Sequence, residues 1–368
     1  MHAGGPAGAD DVGPFLYRLL MDPAALDSRL RPWARDPLSR VVASRRARYL
    51  ERQYSEIGGG VSLDRHTREQ ARGLGRMLTE RLVETGATFH AYVATRYGRP
   101  TFEEAAERML ADGVTRVVLL PLYPQYSRGT AGSAQAYWHA LEGAGAIPPR
   151  ATTAVREFAT HPKYVQALSE RIDEALQRFS RDVRERAHVV FTAHGLSAND
   201  QARAGDGYCC LVHSTIGAVM AHRGAGDPGR PFHVVFPDRG RSSRWFASCT
   251  PSHLDAVAEA GAGAAVVVPI SSVSDHLETT FELDIRVREA ALHAGIDNFE
   301  VTAGLNCHPL FIEALAEVVV AHTTAGERAT ALESSAAATA CPVCSSVVHA
   351  REWPGHGLPE PRHAARAA

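Results

Sequence analysis

The sequence predicts an α/β protein built on parallel sheets, and three observations carry that reading. Short apolar runs, many of them β-branched, recur at Thr88 to Val93, Arg116 to Leu122, His188 to Thr192, His233 to Phe236 and Ala264 to Ile270. They are apolar at nearly every position, which is the pattern of strands covered on both faces. Stretches of helical periodicity lie between and around them, at Arg65 to Glu84, Phe102 to Ala111, Tyr164 to Phe179, Glu278 to Ala294 and Pro309 to His322. Strand and helix in alternation are the signature of βαβ units. Finally, Gly113 to Leu122 and Gly263 to Ile270 share one pattern, a strand closed by proline and followed by a polar loop and a helix. Such a repeat points to two similar halves.

A chain of 368 residues suits two compact domains plus a tail. The expected division is residues 1–160, residues 161–325 and a tail of 326–368, where composition shifts to Ala, Thr and Ser and then to Pro, His and Arg. Lys and Arg total 39 against 41 Asp and Glu. That balance offers no electrostatic footprint for nucleic acid or for an anionic membrane. The first residues have neither the basic start and apolar run of a secretory signal nor the Arg-rich bias of a transit peptide. No stretch reaches the roughly 20 apolar residues of a membrane span, so a cytoplasmic location is expected. The six cysteines, Cys209, Cys210, Cys249, Cys307, Cys341 and Cys344, do not read as a disulfide framework in a chain of this size.

In open parallel sheets, ligands bind beyond the carboxyl ends of the strands, which directs attention to the residues after Leu122, Thr192 and Ile270. The first of these loops, Tyr123 to Ser133, supplies Tyr123, Tyr126, Ser127, Arg128 and Thr130. These side chains can stack on a planar ligand and hold carboxylates, although Ser127 or Thr130 would also serve to cap the next helix. His194 ends the second strand and precedes Gly195. A histidine there can take a proton or bind a metal near neutral pH, or act as a hydrogen-bonded structural residue. In the third loop, Ser274 or Asp275 can cap a helix on which Glu278 and Glu282 lie one turn apart. Like charges at that spacing destabilise a helix unless a cation or solvent compensates, and Arg286 stands a further turn on. A carboxylate row passing protons or holding a hard cation is the functional reading. Gly58-Gly59-Gly60 lacks the flanks of a phosphate-binding loop and reads as a turn.

Taken in order, these segments resemble the ferrochelatases. The match comprises Gln53 to Gly60, Arg96-Tyr97, Leu120 to Ser127, Thr192 to Leu196, Gly205 to Tyr208, Ser274 to Thr279, Phe281 to Asp284 and Leu305 to Phe311. The resemblance implies two similar Rossmann-like, chelatase-type domains, each a parallel sheet flanked by helices, with a porphyrin cleft between them. It implies a lyase of haem biosynthesis that inserts ferrous iron, as substrate, into protoporphyrin IX or coproporphyrin III. Carried over by residue, His194 receives pyrrole protons or binds the incoming metal, and Glu278 faces it across the macrocycle. His276 and Glu282 support metal delivery and proton removal. Tyr54, Arg96, Tyr97, Tyr123 and Tyr126 line or anchor the porphyrin, with Ser127 beside them. Pro14 to Met21 resembles an apolar lip, from which transient membrane contact and peripheral association are expected, and the tail offers a basis for a homodimer.

Some positions depart from the family pattern. The resemblance places a strand ahead of the Gly4-Gly5-Pro6 turn, where only Met1-His2-Ala3 stand. Val61-Ser62 replaces a Ser-Pro, and Pro237 to Arg241 replaces a Gln-Ser motif, although Trp245 is kept. Cys341-Pro342-Val343-Cys344 resembles the motif of members that carry a [2Fe–2S] cluster, which needs four ligands. His349 and Arg128 stand where the other two cysteines belong, which leaves zinc, another metal or a metal-free remnant as alternatives. Other readings are insertion of cobalt or nickel into a different tetrapyrrole, and a paralogue that binds or senses a tetrapyrrole without turnover. The pair His194 and Glu278 counts against the latter.

Overall fold

The fold is described from a computed structural model over residues 1–6, 8–22, 32–56, 63–194, 207–236, 251–324, 338–340 and 347–349. It contains two parallel sheets flanked by helices. In the first, β1 (Arg116–Leu119) pairs with β2 (Ala151–Ala154). The second places β3 (His188–Thr192) and β5 (Ala264–Pro269) in the centre, with β4 (Phe232–Val235) and β6 (Asn298–Val301) at its edges. Every residue of β3 and β5 is buried, as their unbroken apolar runs predict. The edge strands β2 and β6 escaped the sequence reading because each is four residues long and carries polar side chains, Thr152 and Thr153 in one and Asn298 and Glu300 in the other. A two-stranded antiparallel ribbon, Ala338–Ala340 with Val347–His349, lies in the tail.

The helices pack against the sheets in several hydrophobic clusters. α1 (Val12–Met21) packs its buried Val12, Phe15 and Leu16 against Ala43 and Ala47 of α2 (Pro32–Glu56), together with Tyr97. α3 (Leu63–Arg81) contributes Leu74 and Leu78 to a cluster shared with Val189, Phe191, Val266 and Val268 of the central strands. α4 (Phe102–Ala111) starts with a capping box between Thr101 and Glu104, which satisfies two otherwise orphaned amides. It packs with α5 (Ser133–Gly143) against β1 through Phe102, Met109 and Trp138. α6 (Pro162–Leu176) opens on a proline whose missing N–H costs nothing at that position. α7 (Arg181–Arg186) leads into β3, and α8 (Tyr208–Arg223) and α9 (Pro251–Glu259) connect the strands of the second sheet. The last long helix, α11 (Pro309–Thr324), lies against α3 and α6. At their outer edges Lys163 pairs with Glu313 and Glu317, and Arg81 reaches both carboxylates.

Two expectations are corrected. Thr88 to Val93 forms no strand, because among the described residues its backbone has no neighbour to bond, and it lines a cavity. Glu278 to Ala294 is not a single α-helix. Residues Glu278–Val287 form a π-helix, and only α10 (Arg288–His293) is α-helical. The first turn is opened from within, since the His276 carbonyl accepts the Thr280 amide at 3.0 Å and the hydroxyls of Thr279 and Thr280 at 3.0 and 2.6 Å. Hydroxyls that compete for helix carbonyls distort the ladder in this way, and π turns recur at functional sites.

At the amino ends of β3 and β4 the imidazoles of His188 and His233 stack at 14°, with Nδ1 of the first 2.9 Å from Nε2 of the second. Burial, and then repulsion by His188, lowers His233 to about 4, and burial and then Arg230 lower His188. The folded protein therefore favours neutral rings, while the unfolded chain protonates near 6.5. Stability is fully present above about 6.5 and is lost as pH falls towards the lowered folded values. Urea midpoints measured between about pH 7.5 and 5 should fall less steeply in His233→Phe than in the parent chain.

Candidate active site

β3 and β5 deliver two loops to one place. Their ladder ends where the Ile270 amide donates to the Thr192 carbonyl at 2.9 Å, and both chains then leave the sheet. The His194 amide donates to Ser271 Oγ at 3.0 Å, and the Tyr208 hydroxyl lies 2.8 Å from the same oxygen. A small recess here is lined by Thr192, His194, Ser271, Ser272, His276 and Thr279. The structure thus brings His194 and His276 together at the carboxyl end of the sheet, where ligands of parallel sheets bind.

His276 is oriented by its own turn. Its Nδ1 lies 3.1 Å from the Ser274 carbonyl and 3.4 Å from Ser272 Oγ. A carbonyl only accepts, so Nδ1 carries the hydrogen and Nε2 the lone pair of the neutral ring. The turn is clamped by Asp275, whose Oδ1 accepts the Gly304 amide at 2.8 Å and whose Oδ2 accepts Asn306 Nδ2 at 2.7 Å. Asn306 Oδ1 accepts the Asp275 amide in return, at 2.9 Å, and the Asn306 backbone is left-handed at φ 45°. Asparagine tolerates that conformation better than most residues. Gln70 of α3 donates to Ser274 Oγ and to the Asn306 carbonyl, both at 2.8 Å, so a helix from the amino-terminal part of the chain holds the clamp.

Glu278 begins the π-helix, and Glu282 lies on it four residues later. Glu282 Oε1 accepts a hydrogen bond from Gln53 of α2 at 3.0 Å and lies 3.7 Å from Arg286, which donates to the Tyr49 hydroxyl at 2.7 Å. α2 is therefore stitched to the carboxylate helix.

The tyrosines and Arg96 occupy the amino-terminal side. Tyr54 and Tyr97 pack with α1, and burial lifts the Tyr54 phenol to about 12 and raises that of Tyr97. Arg96 pairs with Asp22 at 2.7 Å and lies 3.6 Å above the Tyr137 ring, while the Tyr97 hydroxyl donates to the same Asp22 oxygen at 2.7 Å. The Tyr123 hydroxyl accepts the Ala3 amide at 2.8 Å, and burial pushes that phenol up to about 12. All three phenols therefore stay protonated at neutral pH. Tyr126 lies under the Arg156 guanidinium at 4.2 Å, and Ser127 Oγ is 2.6 Å from Thr130 Oγ1 at the start of a π turn, Arg128–Gly132. Sequence reasoning missed Asp22, Gln53, Gln70 and Ser271. Asp22 directly follows α1 and reads as an ordinary helix stop, and the other three act across long sequence separations that leave no local pattern. Cys341, Cys344, Gly58 to Ser62 and Pro237 to Trp245 lie outside the described residues.

Two histidines lining one recess at the carboxyl end of a parallel sheet, with a helix bearing carboxylates after the second, define an α/β protein with candidate acid–base groups where ligands bind. Comparison with known proteins makes this specific. The family model described as Ferrochelatase matches residues 1–323. Ferrochelatase of Synechococcus elongatus is 36% identical over 320 residues, 87% of this chain and 80% of that one. Ferrochelatase of Synechocystis sp. is 35% identical over 324 residues, with the same shares of both chains. The chain belongs to the ferrochelatase family. A solved structure of SirB from Bacillus subtilis with Fe3+ covers 68% of this chain and 89% of its own at 15% identity, but with a TM-score of 0.44 it adds no weight.

The clamp yields a direct test. A Cβ on Gly304 would lie 2.7 Å from the Asp275 amide nitrogen, whereas one on Gly263 meets nothing within 4 Å. Gly304→Ala should lower the thermal midpoint and speed amide exchange in residues 274–279, and Gly263→Ala should do neither.

Proposed function

We infer that this chain is a working ferrochelatase that takes ferrous iron and a propionate-bearing porphyrin, protoporphyrin IX or coproporphyrin III, as its substrates. The observation that carries the reading is the family match over residues 1–323. The side-chain chemistry supports it. Metallation removes two pyrrole protons and strips water from a cation, so it needs bases and metal-tolerant donors in one place. We assign His194 to receive pyrrole protons or bind the incoming metal, with Glu278 opposite it. His276, its Nε2 lone pair set by the hydrogen bond at Nδ1, and Glu282, held by Gln53, support delivery of iron and removal of protons. Tyr54, Tyr97, Tyr123, Tyr126 and Ser127 are assigned to the porphyrin side. Arg96, braced by Asp22 and Tyr137, is assigned to a propionate, since a guanidinium matches carboxylate geometry.

The [2Fe–2S] cluster of some relatives does not fit this donor set. Cys341 and Cys344 supply two sulfurs and His349 a third ligand at most, while the fourth position is Arg128, which carries no lone pair for iron. No step of the reaction is assigned to such a cluster.

No helix among the described residues is long and apolar enough to cross a membrane. We assign the expected peripheral contact to α2 instead of α1, because α1 turns Phe15 and Leu16 inward. α2 exposes Trp33, Leu38, Val41 and Tyr49 along a helix that also bears Arg45 and Arg48. Exposed apolar side chains interleaved with basic ones give α2 a face that an anionic lipid surface can attract. Trp33→Ser with Leu38→Ser should abolish co-sedimentation with vesicles containing anionic lipid, and unchanged binding would remove the assignment.

The central test is anaerobic insertion of ferrous iron into protoporphyrin IX and coproporphyrin III. His194→Ala and Glu278→Ala should each lower turnover by at least about 100-fold, the usual scale for a lost acid–base group, while porphyrin quenching of tryptophan fluorescence persists. Porphyrin binding without metallation by the parent chain would instead mean a tetrapyrrole-binding protein.

A further inference from the structure

Charge changes sign along the carboxylate helix. Glu278 and Glu282 stand nearer His276 in the chain, and Arg286 and Arg288 follow Glu282 and Asp284 at four-residue spacing. Leu283 and Val287 turn into the core. Glu282 and Arg286 lie on the outer side, where their side chains are 17% and 39% exposed, so the row runs outward from carboxylate to guanidinium.

The two arginines are used differently. Arg288 closes on Asp284 at 2.6 Å and also donates to the Phe299 carbonyl. Arg286 stays 3.7 Å from Glu282 Oε1, too far for a hydrogen bond, and donates instead to the neutral Tyr49 hydroxyl at 2.7 Å. A pair that served only to stabilise the helix would close as Arg288 does. Here a phenol from α2 holds the guanidinium beside the carboxylate, and its charge is not neutralised by a contact ion pair. Arg45 and Arg52, both exposed, stand one turn to either side of Tyr49 on α2 and add charge of the same sign.

This flank disfavours a divalent cation. Gln53 already donates to Glu282 Oε1 at 3.0 Å, and the Tyr49 oxygen already accepts from Arg286. A cation bound to Oε1 at about 2.2 Å lies within about 6 Å of the Arg286 nitrogen, inside the roughly 8 Å Debye length of physiological salt. It carries twice the charge of a proton, so the guanidinium repels it twice as strongly.

We propose that Arg286 is a specificity-determining residue. Tethered by Tyr49, it keeps divalent cations off Glu282, so that this carboxylate is reserved for protons and the metal reaches His276 by a route other than the outer side of the helix. The identity of the metal and the source of the protons rest on the ferrochelatase reading above, whereas the exclusion of cations from Glu282 is open to measurement without turnover.

Manganous ion is a redox-stable divalent cation that favours carboxylate oxygens, and its free concentration is read from its EPR signal. It is titrated into the porphyrin-free 368-residue chain at low ionic strength. Arg286→Gln removes the charge and keeps an amide donor for Tyr49. It should bind the ion about 10-fold more tightly than the parent chain, the factor implied by a double and a single charge about 6 Å apart in water. The gain should vanish in the double variant Arg286→Gln with Glu282→Gln, and Arg286→Lys should bind as the parent does. About 1 M salt, with a Debye length near 3 Å, should erase the difference. Parent-like affinity in Arg286→Gln would overturn the proposal. So would a gain that survives Glu282→Gln, or one that salt leaves unchanged, since either would place the effect in packing or at another site. A chain that shows the expected gain but metallates no porphyrin would count against the ferrochelatase reading alone.

Discussion

The pairing of β3 with β5 is the constraint on which the site depends. Each strand is buried along its whole length, and the register sets Thr192 against Pro269. Slipping that register by one residue would invert every side chain in the centre of the sheet, and the packing on both faces resists it. Because the strands run parallel and end together, His194 and the Ser271–His276 turn emerge at the same edge. The position of the two histidines is thus set by hydrophobic burial many residues away, and the local hydrogen bonds only trim it.

Around that edge the remaining pieces are tied down by contacts between distant parts of the chain. Gln53 and Gln70, both before residue 100, hold Glu282 and the Ser274–Asn306 clamp, both after residue 270. Asp22 serves Arg96 and Tyr97 at once. A site divided in this way between the two ends of the sequence assembles only when both sheets are in place.

What could be read from the sequence follows the same division. The central strands were legible because full burial leaves an uninterrupted apolar run, and His194 stood out because it follows one, whereas His276 was named through the family resemblance alone. The edge strands β2 and β6 were illegible because half-exposed residues carry no such mark. Thr88 to Val93 read as a strand on its side chains, but no ladder bond joins it to another segment among the described residues. Strand pairing depends on a neighbour, which composition cannot report. The π-helix was missed because apolar periodicity does not separate i+4 from i+5 bonding. The pairing of Glu282 with Gln53 lies beyond any local pattern, since the two are 229 residues apart.

The anchor that seats residue 194 is a backbone amide donating to a serine hydroxyl. That hydrogen bond is available to whichever side chain residue 194 carries, so the strand end is seated independently of the group it presents. A fold arranged in this way is open to evolutionary exchange of the group carried at the strand end, with no change in architecture.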